Sequence, residues 1–164
     1  MAGAQERFSP FERLGRAYRF VNSIAFSPDG REMYFALLHR EVLKARGEEV
    51  PESAPEVCLY RSVFDGRRWQ DPELAPFSGT AHEYEPALSP DGRLLVFQSN
   101  REGKTNRLWA VRRKNGRAGW SAAFELSGIN GAAGASYSTI ARDGSIFFIK
   151  DDGAAPGRPN YNIL

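Results

Sequence analysis

Pro86-Ala87-Leu88-Ser89-Pro90-Asp91-Gly92 runs directly, after one arginine, into the apolar stretch Leu94-Leu95-Val96-Phe97. An apolar segment, a tight-turn phrase and a second apolar segment together read as a β-hairpin. The two central turn residues have separate jobs: an aspartate hydrogen-bonds its own backbone, and a glycine accepts the positive φ that strains other residues. The phrase returns as Ile24-Ala25-Phe26-Ser27-Pro28-Asp29-Gly30 before Met33-Tyr34-Phe35-Ala36, and as Ser138-Thr139-Ile140-Ala141-Arg142-Asp143-Gly144 before Ile146-Phe147-Phe148-Ile149. Asp29, Gly30, Asp91, Gly92, Asp143 and Gly144 are therefore read as structural turn residues. The third copy replaces Ser-Pro by Ala141-Arg142, and the strand after it is expected to be one residue shorter.

The likeness continues beyond the hairpin. In the second copy Leu108-Trp109 opens another strand, Asn115-Gly116 marks a turn and Trp120 begins a last strand ending near Leu126; Leu59-Tyr60, Asp65-Gly66, Trp69 and Leu74 follow the same order in the first. Each complete unit thus holds four strands joined by tight turns. Ser27 and Ser89 are 62 residues apart, Ser89 and Ala141 52, periods near those of propeller blades. The surplus in the first unit is an insertion over 39–56, polar and rich in breakers, which suits a surface loop between second and third strands, with a short helix over Glu41 to Arg46.

Composition agrees with a β-rich globular domain. The chain has 164 residues, 41% hydrophobic and 26% charged, with 16 glycines and 10 prolines favouring many turns. A net charge of +2, without strong asymmetry between the halves, forces no nucleic-acid partner. No apolar run is long enough for a membrane helix, and the first residues lack the apolar region of a signal peptide. The single Cys58 is read as a small buried hydrophobe.

Ser-Pro-Asp-Gly, its apolar strand, Gln98-Ser99-Asn100-Arg101-Glu102-Gly103, Leu108-Trp109 and Gly116 with Trp120 together resemble the WD-like repeat of TolB-type β-propellers, from about residue 20 to the C-terminus. The resemblance implies an all-β chain of four-stranded antiparallel blades: blade 1 over 20–79, blade 2 over 80–131 and an incomplete blade 3 over 132–164, with Tyr161 opening its third strand. Residues 1–19, with Phe8, Phe11 and Leu14, form either the closing strand of another blade or an amphipathic helix. Propellers have typically four to eight blades, so the expectation is a fragment of a longer propeller or half of an assembled one, able to self-associate through an unpaired blade edge.

Candidate chemistry gathers just before the second phrase, where a propeller channel has its mouth. His82, Glu83, Tyr84 and Glu85 are read as ligand-binding residues there. One imidazole and two carboxylates also suit metal or acid–base work, but alternation puts Glu83 and Glu85 on one strand face and His82 and Tyr84 on the other, and the aligned Ser23 and Tyr137 are not ligands of that class. No catalytic residue, metal site or cofactor is assigned. Arg101, Lys104, Arg107, Arg112, Arg113, Lys114 and Arg117 form a basic cluster, read as a solvated rim since alternation spreads it over two faces. Trp69, Trp109 and Trp120, with Tyr60 and Tyr161, recur at equivalent positions and are expected to pack between blades. Ser62 to Trp69 shares part of the Asp-box turn of sialidases, and Asp151-Asp152-Gly153 is read as a plain turn rather than a calcium loop.

The resemblance implies a non-catalytic module binding a protein or small molecule, without nucleic acid or membrane insertion, in a periplasmic or cell-envelope setting. The alternatives are part of a carbohydrate-active propeller, or the propeller of a prolyl-oligopeptidase-like peptidase whose catalytic domain lies beyond Leu164; no Gly-x-Ser-x-Gly elbow occurs in the sequence.

Overall fold

The computed structural model describes residues 22–103, 105–114, 119–130, 134–151 and 161–163. The first sheet contains β1 (Asn22–Phe26), β2 (Glu32–Leu38), β3 (Val57–Val63) and β4 (Glu73–Leu74), paired in chain order, with the helix α1 (His39–Arg46) between β2 and β3. The second repeats that order with β5 (Glu83–Leu88), β6 (Leu94–Ser99), β7 (Arg107–Arg112) and β8 (Phe124–Glu125). The third pairs β9 (Ala135–Ile140), β10 (Ile146–Asp151) and β11 (Tyr161–Ile163). All strand pairings among the described residues are antiparallel, and Tyr161 does open a third strand, opposite Asp151. The chain is all-β, a partial propeller of successive blades.

Each hairpin is closed by the chemistry its phrase supplies. Ser27 donates its hydroxyl to Asp29 Oδ1 at 2.6 Å, and the same Oγ accepts the backbone N–H of Glu32 at 2.8 Å. Ser89, Asp91 and Leu94 repeat this at 2.6 and 2.9 Å. Glycine is required at the end of the turn, since Gly30, Gly92 and Gly144 have φ of 65°, 71° and 89°. In the third blade Ala141 has no hydroxyl, and Asp143 Oδ1 accepts the Ser145 N–H at 3.0 Å. The Ala141 N–H reaches Ser145 O, whereas Ser27 reaches Glu32 O and Ser89 reaches Leu94 O. The missing residue is therefore lost from the turn; β10, like β6, keeps six residues.

Alternation along the strands builds two apolar faces per blade. Tyr34, Ala36, Val57 and Leu59 of blade 1 meet Leu95, Phe97, Trp109, Val111 and Trp120 of blade 2. The other face of blade 2, with Val96, Leu108 and Ala110, meets Ala135, Ile140 and Phe148 of blade 3. Met33, Phe35, Leu37, Cys58, Tyr60 and Trp69 lie on the far side of blade 1 with Val42 of α1. Each fully buried side chain of this size contributes about 1.5–3 kcal/mol. Trp109 and Trp120 thus pack between blades 1 and 2 as expected, whereas Tyr60 and Trp69 lie on the far side of blade 1, outside that seam; burial pushes the Cys58 thiol up to about 12, with the Glu83 charge adding to the rise.

The fourth strands are shorter than the sequence suggests. Trp69 and Trp120 make single bridges, to Phe64 and Arg113, before the two-residue β4 and β8. In blade 1, Pro72 precedes β4 and has no N–H for a ladder. The Ser62–Trp69 stretch is a capped hairpin turn in which Asp65 Oδ1 accepts the N–H groups of Arg67 and Arg68 at 2.7 and 2.9 Å.

A polar strap also joins blades 1 and 2. Glu32 is bound by Arg61 of its own blade and by Arg113 of the next. Burial alone raises its carboxyl, but hydrogen bonds and charge from Arg61 and Arg113 outweigh this and hold it below the ordinary value of 4.5. A depressed folded pKa stabilises above the unfolded value, and that contribution is lost as pH falls through the folded one. The stability advantage of the wild type over Glu32→Gln should be full at pH 6 and shrink below about pH 4.5. Urea unfolding midpoints of both proteins across pH 3–7 test this, and parallel curves would contradict it.

Candidate functional site

The segment ahead of each phrase departs from regular pairing in the same way. Between Tyr84 and Ala87 of β5, between Asn22 and Ile24 of β1, and opposite Phe147 and Ile149 on β9, the innermost strand carries one residue more than its partner. This β-bulge coincides with a left-handed residue in every blade: Ser23, Glu85 and Tyr137 have φ of 49°, 53° and 49°. Each stands four positions before the serine or alanine that starts its turn.

The bulge breaks the alternation on which the reading of the mouth rests. Glu83 and Glu85 do not share a face; they enter different blade seams. Glu83 is wholly buried between blades 1 and 2. Its Oε1 receives Arg101 at 2.5 Å, and its Oε2 accepts the Ser78 hydroxyl and the Gly79 N–H. Burial pushes its carboxyl up, against the opposing pull of Ser78, Arg101 and Gly79. Glu85 is buried toward blade 3, where its Oε2 accepts the Tyr137 N–H at 2.9 Å; burial raises it too, against the Tyr137 bonds.

His82 and Tyr84 stay together, as alternation implies. Their rings stack at 6.5 Å with planes 8° apart, and both are half-buried. Asn100 fixes the backbone of His82: its Oδ1 accepts the His82 N–H at 3.0 Å, and its own N–H reaches the His82 carbonyl at 3.3 Å. His82 Nδ1 has no hydrogen-bond partner among the described residues. Among these, too, no group of three or more His, Cys, Asp or Glu side chains is arranged to hold a metal ion.

Arg101 is the residue whose role the sequence concealed. It lies between blades, over the rings of Phe97 and Trp109 at 5.1 and 5.0 Å, and donates to the Phe77 carbonyl at 3.2 Å as well as to Glu83. Arg113 lies in the strap to Glu32, Arg107 pairs with Glu125 at 2.7 Å, and Arg112 sits over Phe124. The basic cluster is thus partly drawn into the packing, a correction to its reading as a solvated rim. Carboxylates far away in sequence supply the partners. Lys104, Asn115, Gly116, Arg117, Asp152, Gly153 and residues 1–19 lie outside the described residues.

The bulge makes a prediction. Glu85→Gly relieves a left-handed conformation but removes the acceptor of the Tyr137 N–H, so the loss outweighs the relief and a destabilisation of about 1–3 kcal/mol is expected. Thermal unfolding checks it, and a variant as stable as the wild type would show that the Glu85 bond is unimportant.

No protein-family model matches the sequence, and no curated protein matches it. Among solved structures, the chain is similar to the crystal structure of TolB from Acinetobacter baumannii, at 20% identity and a TM-score of 0.52, over 87% of this chain and 28% of that one. At that identity the likeness shows the fold, a TolB-like β-propeller module. The chain spans about 28% of the length of the protein it matches.

Proposed function

We propose that this chain is a non-catalytic binding module that takes a protein or small-molecule ligand at the blade mouth, on His82 and Tyr84 and the loops beside them. The carrying observation is the occupation of Glu83. A raised carboxyl in a cleft is the mark of a general acid, but both oxygens of this one are bound by donors and none of the residue is exposed. Glu85 likewise ties blade 2 to blade 3. Stacked, half-buried rings on a backbone fixed by Asn100 remain for recognition, and a turn of the His82 ring breaks no bond at Nδ1. Rigid amphipathic rings suit ligand contact because little conformational entropy is lost on binding.

A periplasmic or cell-envelope setting, and self-association through the edge of blade 3, belong to the same reading. No described helix is long and apolar enough to cross a membrane. The test is a thermal-shift screen of peptide and small-molecule libraries, with hits repeated on His82→Ala and Tyr84→Ala. Hits that lose their stabilising effect in both variants support the proposal. Hits indifferent to both, or turnover of any library member, would overturn it.

A further inference from the structure

We propose that the cleft between blades 1 and 2, at the end of the stack holding the Ser-Pro-Asp-Gly turns, is a second binding site and takes a short acidic peptide segment. It lies beyond the Leu88 end of β5, whereas His82 and Tyr84 stand at its start; the strand rises roughly 13 Å from Tyr84 to Leu88, so the cleft goes beyond the mouth proposed above. The cleft encloses about 660 Å³, within the range of sites that bury most of a small ligand.

The walls are the same turn used twice. A Cβ on Gly92 would stand 3.0 Å from Pro28 Cδ, so the two turns meet closely and their spacing is set. Arg31 and Arg93 occupy the same position in each. Their backbone N–H groups close the turns on Asp29 and Asp91 at 3.1 and 3.0 Å, while their exposed side chains line the cleft. Lys114 adds a third exposed cation.

The lining carries Arg31, Arg93, Arg113 and Lys114 against Asp29, Glu32 and Asp91, a net charge of +1, and Arg61 shares Glu32 with Arg113, so positive charge is in excess. Glu32 is bound by Arg61 and Arg113, and Asp29 and Asp91 each accept a serine hydroxyl and a backbone amide on Oδ1. Among the described residues no ion pair involves Arg31, Arg93 or Lys114. Two guanidinium forks are suited to bidentate carboxylate recognition. Val63 and Phe64 offer apolar lining for side-chain stems. A peptide suits a cleft of mixed sign better than a compact phosphate does: it spaces its carboxylates apart and brings backbone N–H donors for Asp91 Oδ2, whereas a phosphate crowds its charge into one place beside Asp29 and Asp91.

Isothermal titration calorimetry with a hexaglutamate peptide and with inorganic pyrophosphate tests this on the wild type, an Arg31→Gln/Arg93→Gln double variant, an Arg142→Gln variant at the exposed third turn, and His82→Ala. Circular dichroism confirms that each is folded. The expected result is peptide binding that weakens at least about tenfold in the double variant and is unchanged in Arg142→Gln and His82→Ala. No peptide binding, equal weakening by Arg142→Gln, or pyrophosphate binding as tightly as the peptide would overturn the proposal. Loss of peptide binding in His82→Ala alone would overturn it in favour of the mouth.

Discussion

Arg101→Ala is expected to destabilise the fold by about 3–5 kcal/mol, because it leaves the Glu83 carboxylate buried without its counter-charge. The guanidinium also lies on Phe97 and Trp109 and bonds the Phe77 carbonyl, so packing is lost with the charge. Removing both partners should cost less than removing one. Arg101→Met combined with Glu83→Leu should recover much of the loss, since replacement of a buried pair by apolar groups is often neutral. Denaturant unfolding of the single and double variants measures this. A loss under 1 kcal/mol in Arg101→Ala would mean that Glu83 is not held as described.

Trp120→Ala should cost about 3–5 kcal/mol, the range for removing a large buried aromatic. The indole makes edge contacts with Tyr34 and Phe77, each at 5.8 Å, and carries Arg113 4.3 Å above its ring. Its Nε1–H donates to the Tyr34 hydroxyl at 3.1 Å across the blade seam. Tyr34→Phe removes the hydroxyl that accepts this N–H and that also bonds Glu32 and Arg113, each at 3.5 Å, and is expected to cost about 1–3 kcal/mol, chiefly by leaving the indole N–H unsatisfied. A double-mutant cycle between positions 34 and 120 then gives the coupling between blades. Independent effects would contradict the packing of Tyr34 against Trp120.

The hairpins were legible because turn chemistry is local. Serine, aspartate and glycine perform within six residues the roles their types imply, and strand alternation divides Tyr34 from Phe35 and Val96 from Phe97 between the two faces of their blades. The helix inside the insertion is there too, reaching from His39 to Arg46 and ending at a left-handed Gly47. What escaped was non-local or contrary to propensity. Neither Ser23, Glu85 nor Tyr137 announces a left-handed bulge, and Pro86 even biases Glu85 toward extended backbone, so the separation of Glu83 from Glu85 could not be read from spacing. The partnership of Glu32 with Arg113 joins residues 81 positions apart. Arg101 sits in a sequence neighbourhood of cations, and only the stacking of blades reveals that its partner is Glu83.

The central claim is that successive antiparallel blades pack face to face through buried seams, and that the mouth carboxylates belong to those seams. Amide hydrogen exchange of the wild type and Arg101→Ala tests it most directly. Amides of β2 and β6, on either side of the first seam, should exchange in the wild type only through global opening, and Arg101→Ala should accelerate both sets together. Rapid exchange in β6 with β2 fully protected, or acceleration confined to one of the two strands, would contradict the account.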